Sequence, residues 1–142
     1  MNDNIIIKVV AALISKEDKI LIARRSTGDS VSLGKWEFPG GKVEKNETEE
    51  DAIEREIKEE FEIIIKAKEF IFNNIFEYPN KTINLMLYNC EYISGTMQLH
   101  DHFEYRWINI DEFKKYDLAE ADIPLAHYIM EKSKVLEKKQ KI

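Results

Sequence analysis

The densest charge in this chain lies between residues 47 and 62, and it limits how that segment can fold. The segment holds nine carboxylates against two cations, a net charge of −7, whereas the whole chain of 142 residues carries −6. Three apolar residues recur among these acids at a spacing of four: Ile53, Ile57 and Phe61. At ~100° per residue, that spacing places all three on one face of an α-helix. The pattern therefore predicts a helix over Glu49–Phe61 that buries one apolar stripe.

Signals for a helix start and for a chain break precede this segment. Thr48 comes before three acids in a capping-box arrangement, in which the hydroxyl accepts a hydrogen bond from a backbone amide of the first turn. Further upstream, Pro39, Gly40 and Gly41 follow one another. Three such residues in a row predict that regular structure stops there. Because glycine has no side chain, bare backbone at Gly40 and Gly41 can approach a ligand closely.

The rest of the chain alternates between strand-like and helix-like segments. Strands are predicted where β-branched and aromatic residues concentrate, over residues 5–14, 19–24, 63–72, 74–77, 82–92 and 105–110. A helical turn is predicted at residues 111–115, and an amphipathic helix at residues 123–137 with Leu125, Ile129 and Leu136 facing inward. No repeat or linker divides residues 1–142, so the prediction is a single α/β domain with a mixed sheet flanked by helices.

Composition and charge exclude several classes of protein. One cysteine, Cys90, excludes a disulfide framework and a cysteine-based zinc cluster, and its apolar neighbours predict a buried thiol. Nucleic-acid binding needs a basic stripe, whereas the lysines at residues 132–141 are typical of a solvated helix end. The apolar run at residues 5–14 is interrupted by Lys8 and falls short of the ~18–20 apolar residues that span a bilayer. The expectation is a soluble cytoplasmic protein without nucleic-acid or membrane partners.

Three glutamates of the predicted helix lie on the arc next to its apolar stripe: Glu56, Glu59 and Glu60. Carboxylates at this spacing repel one another, and the sequence places too few cations beside them to offset the repulsion. Mg²⁺ binds to a few carboxylate oxygens and shares its remaining positions with water and substrate phosphates. The cluster therefore predicts a magnesium site, and the alternative is a solvated acidic face without a ligand.

Gly41, Glu47 and residues 55–63 together resemble the Nudix box, G-x5-E-x7-R-E-U-x-E-E-x-G-U, where U is aliphatic. Every specified position matches except the last glycine, where Glu62 stands instead. A residue just past a helix usually takes the left-handed conformation that favours glycine, so Glu62 should cost on the order of 1 kcal/mol or shift the cap. Because residue 62 lies outside the arc of glutamates, catalysis is expected to be retained. Residues 36–44 and 118–125 also resemble MutT-type members of the family, and the similarity covers about residues 5–129.

The resemblance implies a fold, a cofactor and a set of ligands. The fold would be the Nudix α/β/α sandwich with a mixed β-sheet, and the cofactor would be Mg²⁺, with Mn²⁺ as a substitute. The metal ligands would be the side chains of Glu56, Glu59, Glu60 and Asp101 and the carbonyl of Gly40. The general base would be Glu59 or Glu60 of the box, or else Asp101 on the loop before Trp107. A divalent ion would neutralise phosphate oxygens and lower the pKa of the attacking water.

The same resemblance assigns roles to residues around the metal. Glu47 and Arg55 would pair and orient the ligands, although a plain salt bridge on the helix is the simpler interpretation. Arg25 and Lys81 would contact the substrate phosphates. Arg25 is equally well explained as an exposed charge at the end of a strand, and Lys81, in a turn, is the weaker candidate.

Two further features have competing interpretations. Asp122 stands where MutT-type members place a residue that reads the base, but it is equally explained as the N-cap of the final helix because Pro124 follows closely. A carboxylate accepts hydrogen bonds and so favours exocyclic amino groups such as those of cytosine or guanine. His100 and His102 resemble a metal-binding pair, yet two histidines this close on a polar loop are more typical of plain surface.

Three functions remain open from the sequence. The leading one is a nucleoside triphosphate pyrophosphohydrolase that converts a canonical or modified nucleotide, such as 8-oxo-dGTP or (d)CTP, to the monophosphate and pyrophosphate. The second keeps the same metal site but acts on ADP-ribose or a nucleotide sugar. The third is a non-catalytic domain that binds nucleotide, against which the repulsive glutamate cluster argues. The partner is a small-molecule nucleotide in each case, and the chain is expected to be a monomer or a homodimer.

Overall fold

The computed structural model of the protein describes residues 5–28 and 32–140, with side chains described as far as residue 134. The strands are β1 (Ile6–Lys16), β2 (Lys19–Arg25), β3 (Trp36–Glu37), β4 (Gly40–Lys42), β5 (Ile63–Tyr78), β6 (Lys81–Gly95) and β7 (His102–Ile108). The α-helices are α1 (Glu49–Phe61) and α2 (Ile123–Gln140), and short 3₁₀ helices occur at Ile110–Lys115 and Glu120–Asp122.

Within the described residues, the strands form a seven-stranded mixed sheet whose main path runs β3-β2-β1-β6-β5. β1 and β6 pair in parallel from Ile6 opposite Thr82 to Ser15 opposite Glu91. β4 pairs with β1 and β7 pairs with β2, both antiparallel. The predicted α/β class with a mixed sheet is therefore confirmed.

Alternate residues of β1 enter two separate cores, because successive side chains of a strand point to opposite faces of the sheet. Val10 and Ile14 pack with the apolar stripe of α1, which is completely buried. Ala11 and Leu13 face the other side, where α2 contributes Leu125. Burial of both faces produces the α/β/α layers and fixes α1 against the sheet, so that the glutamates beside its stripe are held in place.

The start and the end of α1 follow the predicted signals. The hydroxyl of Thr48 accepts a 3.1 Å hydrogen bond from the amide of Asp51. Glu62 takes the left-handed conformation, with φ 57° and ψ 29°, and its amide donates to the carbonyl of Lys58. The cap therefore forms at the position of the missing glycine, and the cost is backbone strain at Glu62 rather than a shifted helix end.

Three predictions about strands are wrong. Gly40 and Gly41 do not end regular structure, because they belong to β4, which pairs with residues 9–11 of β1. The predicted strands at residues 63–72 and 74–77 are one strand, β5, whose pairing with β6 continues through register shifts around Phe70. β7 begins at residue 102 rather than 105 and ends at residue 108, before Ile110, because its pairing with β2 extends past an irregularity between Arg24 and Arg25.

The predictions for α2 and for Cys90 agree with the structure. α2 begins at Ile123 and buries Leu125 and Ile129, whereas Leu136 lies outside the described side chains. Cys90 is buried, and burial raises the pKa of its thiol to about 12, as expected for a structural residue. In the described part of the chain, no helix is long and apolar enough to cross a membrane.

Candidate active site

An open cleft of about 480 Å³ is lined by β4, by one arc of α1 and by the 3₁₀ helix at Glu120–Asp122. It brings together six of the residues that the sequence predicts for the site: Arg25, Gly40, Glu56, Glu60, Lys81 and Asp122. The other four, Glu47, Arg55, Glu59 and Asp101, stand outside its lining. Glu37 of β3 also lines the cleft, and no sequence motif singled it out as a functional residue.

The two glycines of β4 allow backbone to pass close to both β1 and α1. A Cβ atom on Gly40 would overlap the carbonyl of Val10, which belongs to the neighbouring strand. A Cβ atom on Gly41 would overlap the carboxylate of Glu56. Glycine is therefore required here for close packing, and it brings the bare backbone of β4 against a side chain that lines the cleft.

Arg55 binds three acidic side chains beside the cleft. Its Nε and Nη2 atoms donate to the two oxygens of Glu47, at 2.6 and 3.0 Å, in a bidentate pair. Its Nη1 atom donates to Glu56 at 3.0 Å and to Glu59 at 3.2 Å, and Nη2 also reaches the carbonyl of Lys42. These bonds from Arg55, with help from a backbone amide, lower the pKa of Glu47 to about 2. Arg55 therefore does more than form one helix salt bridge.

Glu60 is the most perturbed carboxylate of the cleft. Its side chain is 15% exposed, and its Oε2 atom is buried without a hydrogen-bond partner. Burial raises the pKa of Glu60 to about 8, and the charges of Glu56 and Glu37 act in the same direction. Burial also raises the pKa of Glu56, although Arg55 opposes the rise. Glu59 differs from both, since its side chain is 60% exposed.

The residues present fit a hard divalent cation. The donors are carboxylate oxygens, which Mg²⁺ and Mn²⁺ prefer, and one of them, Oε2 of Glu60, is buried without a partner. Gly40 and Gly41 add backbone to the same wall. Among the residues described, no three acidic, histidine or cysteine side chains already converge as a complete metal cluster. Arg55 donates to Glu56 and Glu59, so a cation entering here would compete with it for those oxygens.

A cluster of three polar side chains faces Glu60: Arg25 of β2, Glu37 of β3 and His102 of β7. Arg25 Nη1 donates to Oε2 of Glu37 at 3.1 Å, and Arg25 Nε donates to the carbonyl of Thr27 at 2.8 Å. The same Glu37 oxygen lies 2.9 Å from Nε2 of His102. Arg25 is therefore a partly buried side chain held toward the cleft, which differs from an exposed charge at a strand end.

The prediction that His102 is a surface residue is wrong. Its side chain is fully buried, and its ring stacks on Phe61 with a centroid distance of 4.9 Å. The reason is an irregularity in the ladder between β2 and β7, where Glu104 is opposite Arg24 but His102 is opposite Arg25. The extra residue on β7 breaks the simple alternation that would place residues 102 and 104 on one face.

Asp101 and His100 precede β7 on a loop that is fastened at two points. The carbonyl of Asp101 accepts a 2.9 Å hydrogen bond from the amide of Ser26. His100 Nε2 lies 2.7 Å from Oε2 of Glu62, the residue that replaces the glycine of the motif. Asp101 is close enough to Glu60 for its charge to contribute to the raised pKa of that carboxylate, although it does so as the weakest of the causes.

Asp122 is buried at the far end of the cleft. Its Oδ2 atom accepts a 2.9 Å hydrogen bond from the amide of Phe38, between β3 and β4. Asp122 immediately precedes α2, which is the N-cap position, while this bond of its carboxylate runs to Phe38 rather than to an amide of α2. Burial raises the pKa of Asp122 well above its usual range, and the charge of Glu37 adds to the effect. Lys81 stands at the rim, with Nζ 5.3 Å from the ring centroid of Tyr78.

Comparison with known proteins assigns this arrangement to a family. Residues 6–129 match the family described as the NUDIX domain. The chain is 39% identical over 124 residues to the CTP pyrophosphohydrolase of Escherichia coli (strain K12), a match that covers 87% of this chain and 91% of that protein. It is 30% identical over 119 residues to the 8-oxo-dGTP diphosphatase of Buchnera aphidicola subsp. Schizaphis graminum (strain Sg), covering 84% and 89% of the two chains.

A solved structure shows the same fold. The solution structure of the E. coli ORF135 protein superposes on this chain with a TM-score of 0.79 and 36% sequence identity, covering 88% of this chain and 89% of that one. The similarity therefore extends over most of the chain.

Proposed function

The chain belongs to the NUDIX family of hydrolases, and from this membership we propose that it hydrolyses a nucleoside triphosphate to the monophosphate and pyrophosphate. Two relatives similar over most of their length bear the names CTP pyrophosphohydrolase and 8-oxo-dGTP diphosphatase. The observation that carries the proposal is the pair of partly buried glutamates, Glu56 and Glu60, which face a cleft that also contains Arg25. Carboxylates and a cation placed in one cleft suit a phosphate substrate bound together with a metal ion.

The cofactor in this proposal is Mg²⁺, with Mn²⁺ as a substitute. Glu56, Glu59 and Glu60 and the carbonyl of Gly40 would hold the ion, and Asp101 is a further candidate ligand. When bound, a divalent ion neutralises phosphate oxygens and lowers the pKa of coordinated water. Glu47 supports this set indirectly, because it holds Arg55, and Arg55 in turn orients Glu56 and Glu59.

Other side chains of the cleft are assigned to binding the phosphates and to accepting the proton of the attacking water. Arg25, held by Glu37 and Thr27, supplies a fixed positive charge for the phosphates, and Lys81 supplies another at the rim. Glu60 is the favoured general base, since its carboxylate lines the cleft beside the other proposed metal ligands. Glu59 and Asp101 are the alternative bases.

Asp122 is proposed to bind the nucleobase. One of its oxygens is occupied by the amide of Phe38, which leaves the other to the cleft. Because burial raises its pKa, the free oxygen can carry a proton and donate a hydrogen bond, or accept one from an exocyclic amino group. Asp122→Asn retains the shape of the side chain, so it should change the ranking of bases more than the rate of phosphate chemistry.

The test is turnover with Mg²⁺ across dCTP, 5-methyl-dCTP, dGTP, 8-oxo-dGTP and ADP-ribose, with separate detection of pyrophosphate and of monophosphates. We expect pyrophosphate from at least one triphosphate, and a loss of at least ~100-fold in Glu60→Gln. Turnover of ADP-ribose alone would assign the chain to the nucleotide-sugar reaction instead. Binding without turnover of any compound, in both wild type and Glu59→Gln, would identify a non-catalytic nucleotide-binding domain.

A further inference from the structure

Four side chains form a row behind the cleft, and the proposed reaction does not yet account for one of them. Arg25 Nη1 donates to Glu37 Oε2 at 3.1 Å, and His102 Nε2 lies 2.9 Å from that same oxygen. On the other side of the imidazole, His102 Nδ1 lies 4.0 Å from Glu60 Oε2. The ring of His102 therefore stands between the carboxylate that holds Arg25 and the carboxylate that lies in the metal site.

The two atoms that face each other across the 4.0 Å gap are both buried and both without a hydrogen-bond partner. Buried polar atoms are nearly always hydrogen-bonded, and an unsatisfied one costs about 1–3 kcal/mol. Two such atoms aimed at each other therefore do not stabilise the fold as they stand. The gap is about 1 Å longer than an ordinary N–H···O bond, so a small rotation of the Glu60 side chain is enough to close it.

Of the two partners, His102 is fixed and Glu60 is free to move. The imidazole is completely buried, stacks on Phe61 at an interplanar angle of 28°, and is bound at Nε2 by Glu37. Glu60 makes no hydrogen bond at Oε2 and is partly exposed to the cleft. Phe61 follows Glu60 on α1 and stacks on the ring of His102. The position of that ring relative to the Glu60 carboxylate is therefore fixed.

We propose that His102 is a positioning residue for Glu60: in its doubly protonated form, with the Nε2 proton donated to Glu37, it donates from Nδ1 to Oε2 of Glu60 when the cleft is loaded. This bond fixes the rotation of the carboxylate and leaves Oε1 for the cation or the attacking water. It also joins Glu60 through Glu37 to Arg25, so the phosphate-binding side and the metal-binding side of the cleft are held in one rigid unit. The inference rests on the proposed function, because it assigns Glu60 a task in that reaction.

Two substitutions at position 102 separate the contacts of the ring. The amide nitrogen of asparagine falls near Nδ1 of histidine, so His102→Asn keeps a donor toward Glu60 and loses the contact with Glu37. The amide nitrogen of glutamine falls near Nε2, so His102→Gln keeps the contact with Glu37 and loses the donor toward Glu60. A merely structural role would make the two variants similar, because both replace the stacked ring with a smaller amide.

We expect a kcat lower by ~10–100-fold in His102→Gln with KM within about threefold of wild type, and a loss of kcat at least threefold smaller in His102→Asn. Mn²⁺ affinity, measured by electron paramagnetic resonance without substrate, should fall by about tenfold or more in His102→Gln only. Equal losses in both variants, or a normal Mn²⁺ affinity in His102→Gln, overturn the proposal. The absence of triphosphate turnover by wild type would instead contradict the proposed function and leave the Mn²⁺ comparison valid.

Thermal unfolding will show whether each variant folds. If either does not, a measurement on the wild-type chain still tests the inference. Imidazole ¹⁵N spectra are recorded with and without Mg²⁺. The resonance of Nδ1 of His102 should shift when Mg²⁺ is added, because Glu60 is drawn into contact with it, whereas Nε2 remains bound to Glu37 and should change little. Spectra in which Nδ1 does not respond to Mg²⁺ contradict the proposal.

Discussion

Glu60 is the residue in which stability and function oppose each other most directly. Its Oε2 atom is buried without a partner, and its pKa is raised to about 8 by burial and by the charges of Glu56 and Glu37. A folded structure gains nothing from ionising such a group. The raised pKa fits the proposed role of Glu60 as a metal ligand, because a bound cation would favour the ionised carboxylate.

The raised pKa predicts how the metal-free protein responds to pH. Between about pH 5 and pH 8, folded Glu60 keeps a proton that the unfolded chain has lost, so the unfolding free energy falls as pH rises. We expect a fall of about 2 kcal/mol, reduced from the unscreened value because the group is partly exposed. Urea unfolding at four pH values, with a chelator present, measures the slope.

Glu60→Gln and Glu59→Gln are the matched controls for this slope. Glu60→Gln should reduce it, because glutamine does not titrate, and should stabilise the metal-free protein at pH 8; the slope that remains belongs to Glu56 and Asp122, whose pKa values are also raised. Glu59→Gln is the comparison that removes a carboxylate from a largely exposed position of the same helix. The explanation fails if Glu60→Gln and wild type lose stability equally over this range.

At this scale, the sequence predicts site residues that depend on one helix and misses those that depend on pairing between strands. Glu56 and Glu60 stand beside the buried stripe because the helical repeat is local, and Arg55 is held with them. Burial of His102 depends on an extra residue in β7 opposite β2, which no local pattern reveals. Glu37 acquires its role from the same pairing, since its partner arrives from far along the chain.

At the scale of elements, β4 shows how two adjacent glycines can serve different purposes. Gly40→Ala places a methyl group against the carbonyl of Val10, which cannot move without disrupting β1. We expect a loss of about 1–3 kcal/mol of unfolding free energy, as for other overpacked sites. Gly41→Ala meets the end of the flexible Glu56 side chain instead, so the loss of stability should be below about 1 kcal/mol.

The two alanine variants should therefore separate stability from activity. Gly41→Ala displaces the Glu56 carboxylate, and turnover and Mn²⁺ affinity should fall by at least tenfold while the thermal midpoint changes little. Gly40→Ala should lower the thermal midpoint more than Gly41→Ala does. Chemical denaturation combined with turnover at a temperature where both variants are folded makes the comparison, and the reverse ranking would contradict it.

The end of α1 supports another prediction about an element. Glu62 is strained at φ 57°, but its carboxylate contacts His100 at 2.7 Å, so the side chain that strains the cap also fastens the loop that carries Asp101. Glu62→Gly relieves about 1 kcal/mol of strain, gives up the exposed contact with His100 and increases the conformational freedom of the unfolded chain. We expect a net change in unfolding free energy within about 0.5 kcal/mol.

A double-mutant cycle with His100→Ala isolates the contact between Glu62 and His100. In the His100→Ala background, Glu62→Gly should be more favourable than in wild type by a few tenths of a kcal/mol, which is the usual coupling of an exposed pair. Urea unfolding of the four proteins gives the value. A coupling of zero would show that the pair contributes nothing to the cap or to the loop.

At the scale of the whole molecule, a divalent cation should act as a stabilising ligand, because it binds the folded cleft and offsets the repulsion around Glu60. Mg²⁺ at a hundredfold excess over its Kd should add about 2.7 kcal/mol to the unfolding free energy. At a fixed Mg²⁺ concentration, the gain should be larger at pH 8 than at pH 6, since the cation competes with the proton on Glu60. Thermal midpoints with Mg²⁺ or with a chelator measure it, and an equal gain in Glu60→Gln would contradict this account.

The whole sheet shows where prediction from sequence stops. The layers follow from local patterns, because each strand and helix has an apolar face that must be buried. The order of the strands depends on long-range contacts, and β5 appears as two strands in the sequence because its register shifts interrupt the alternation. The place of β4 beside β1 was hidden by its glycines, which normally signal a break.

The parallel pairing of β1 with β6 has a consequence for how the protein is made. Val10 pairs with Met86, so the apolar residues of β1 leave the ribosome long before their partner strand is synthesised. At typical rates of ~5–20 residues per second, β1 waits for roughly 4–15 s, and such long-range pairing also folds slowly once the chain is complete. A nascent chain ending before Lys81 would contain the entire glutamate motif of α1 and yet have no cleft to hold a metal ion.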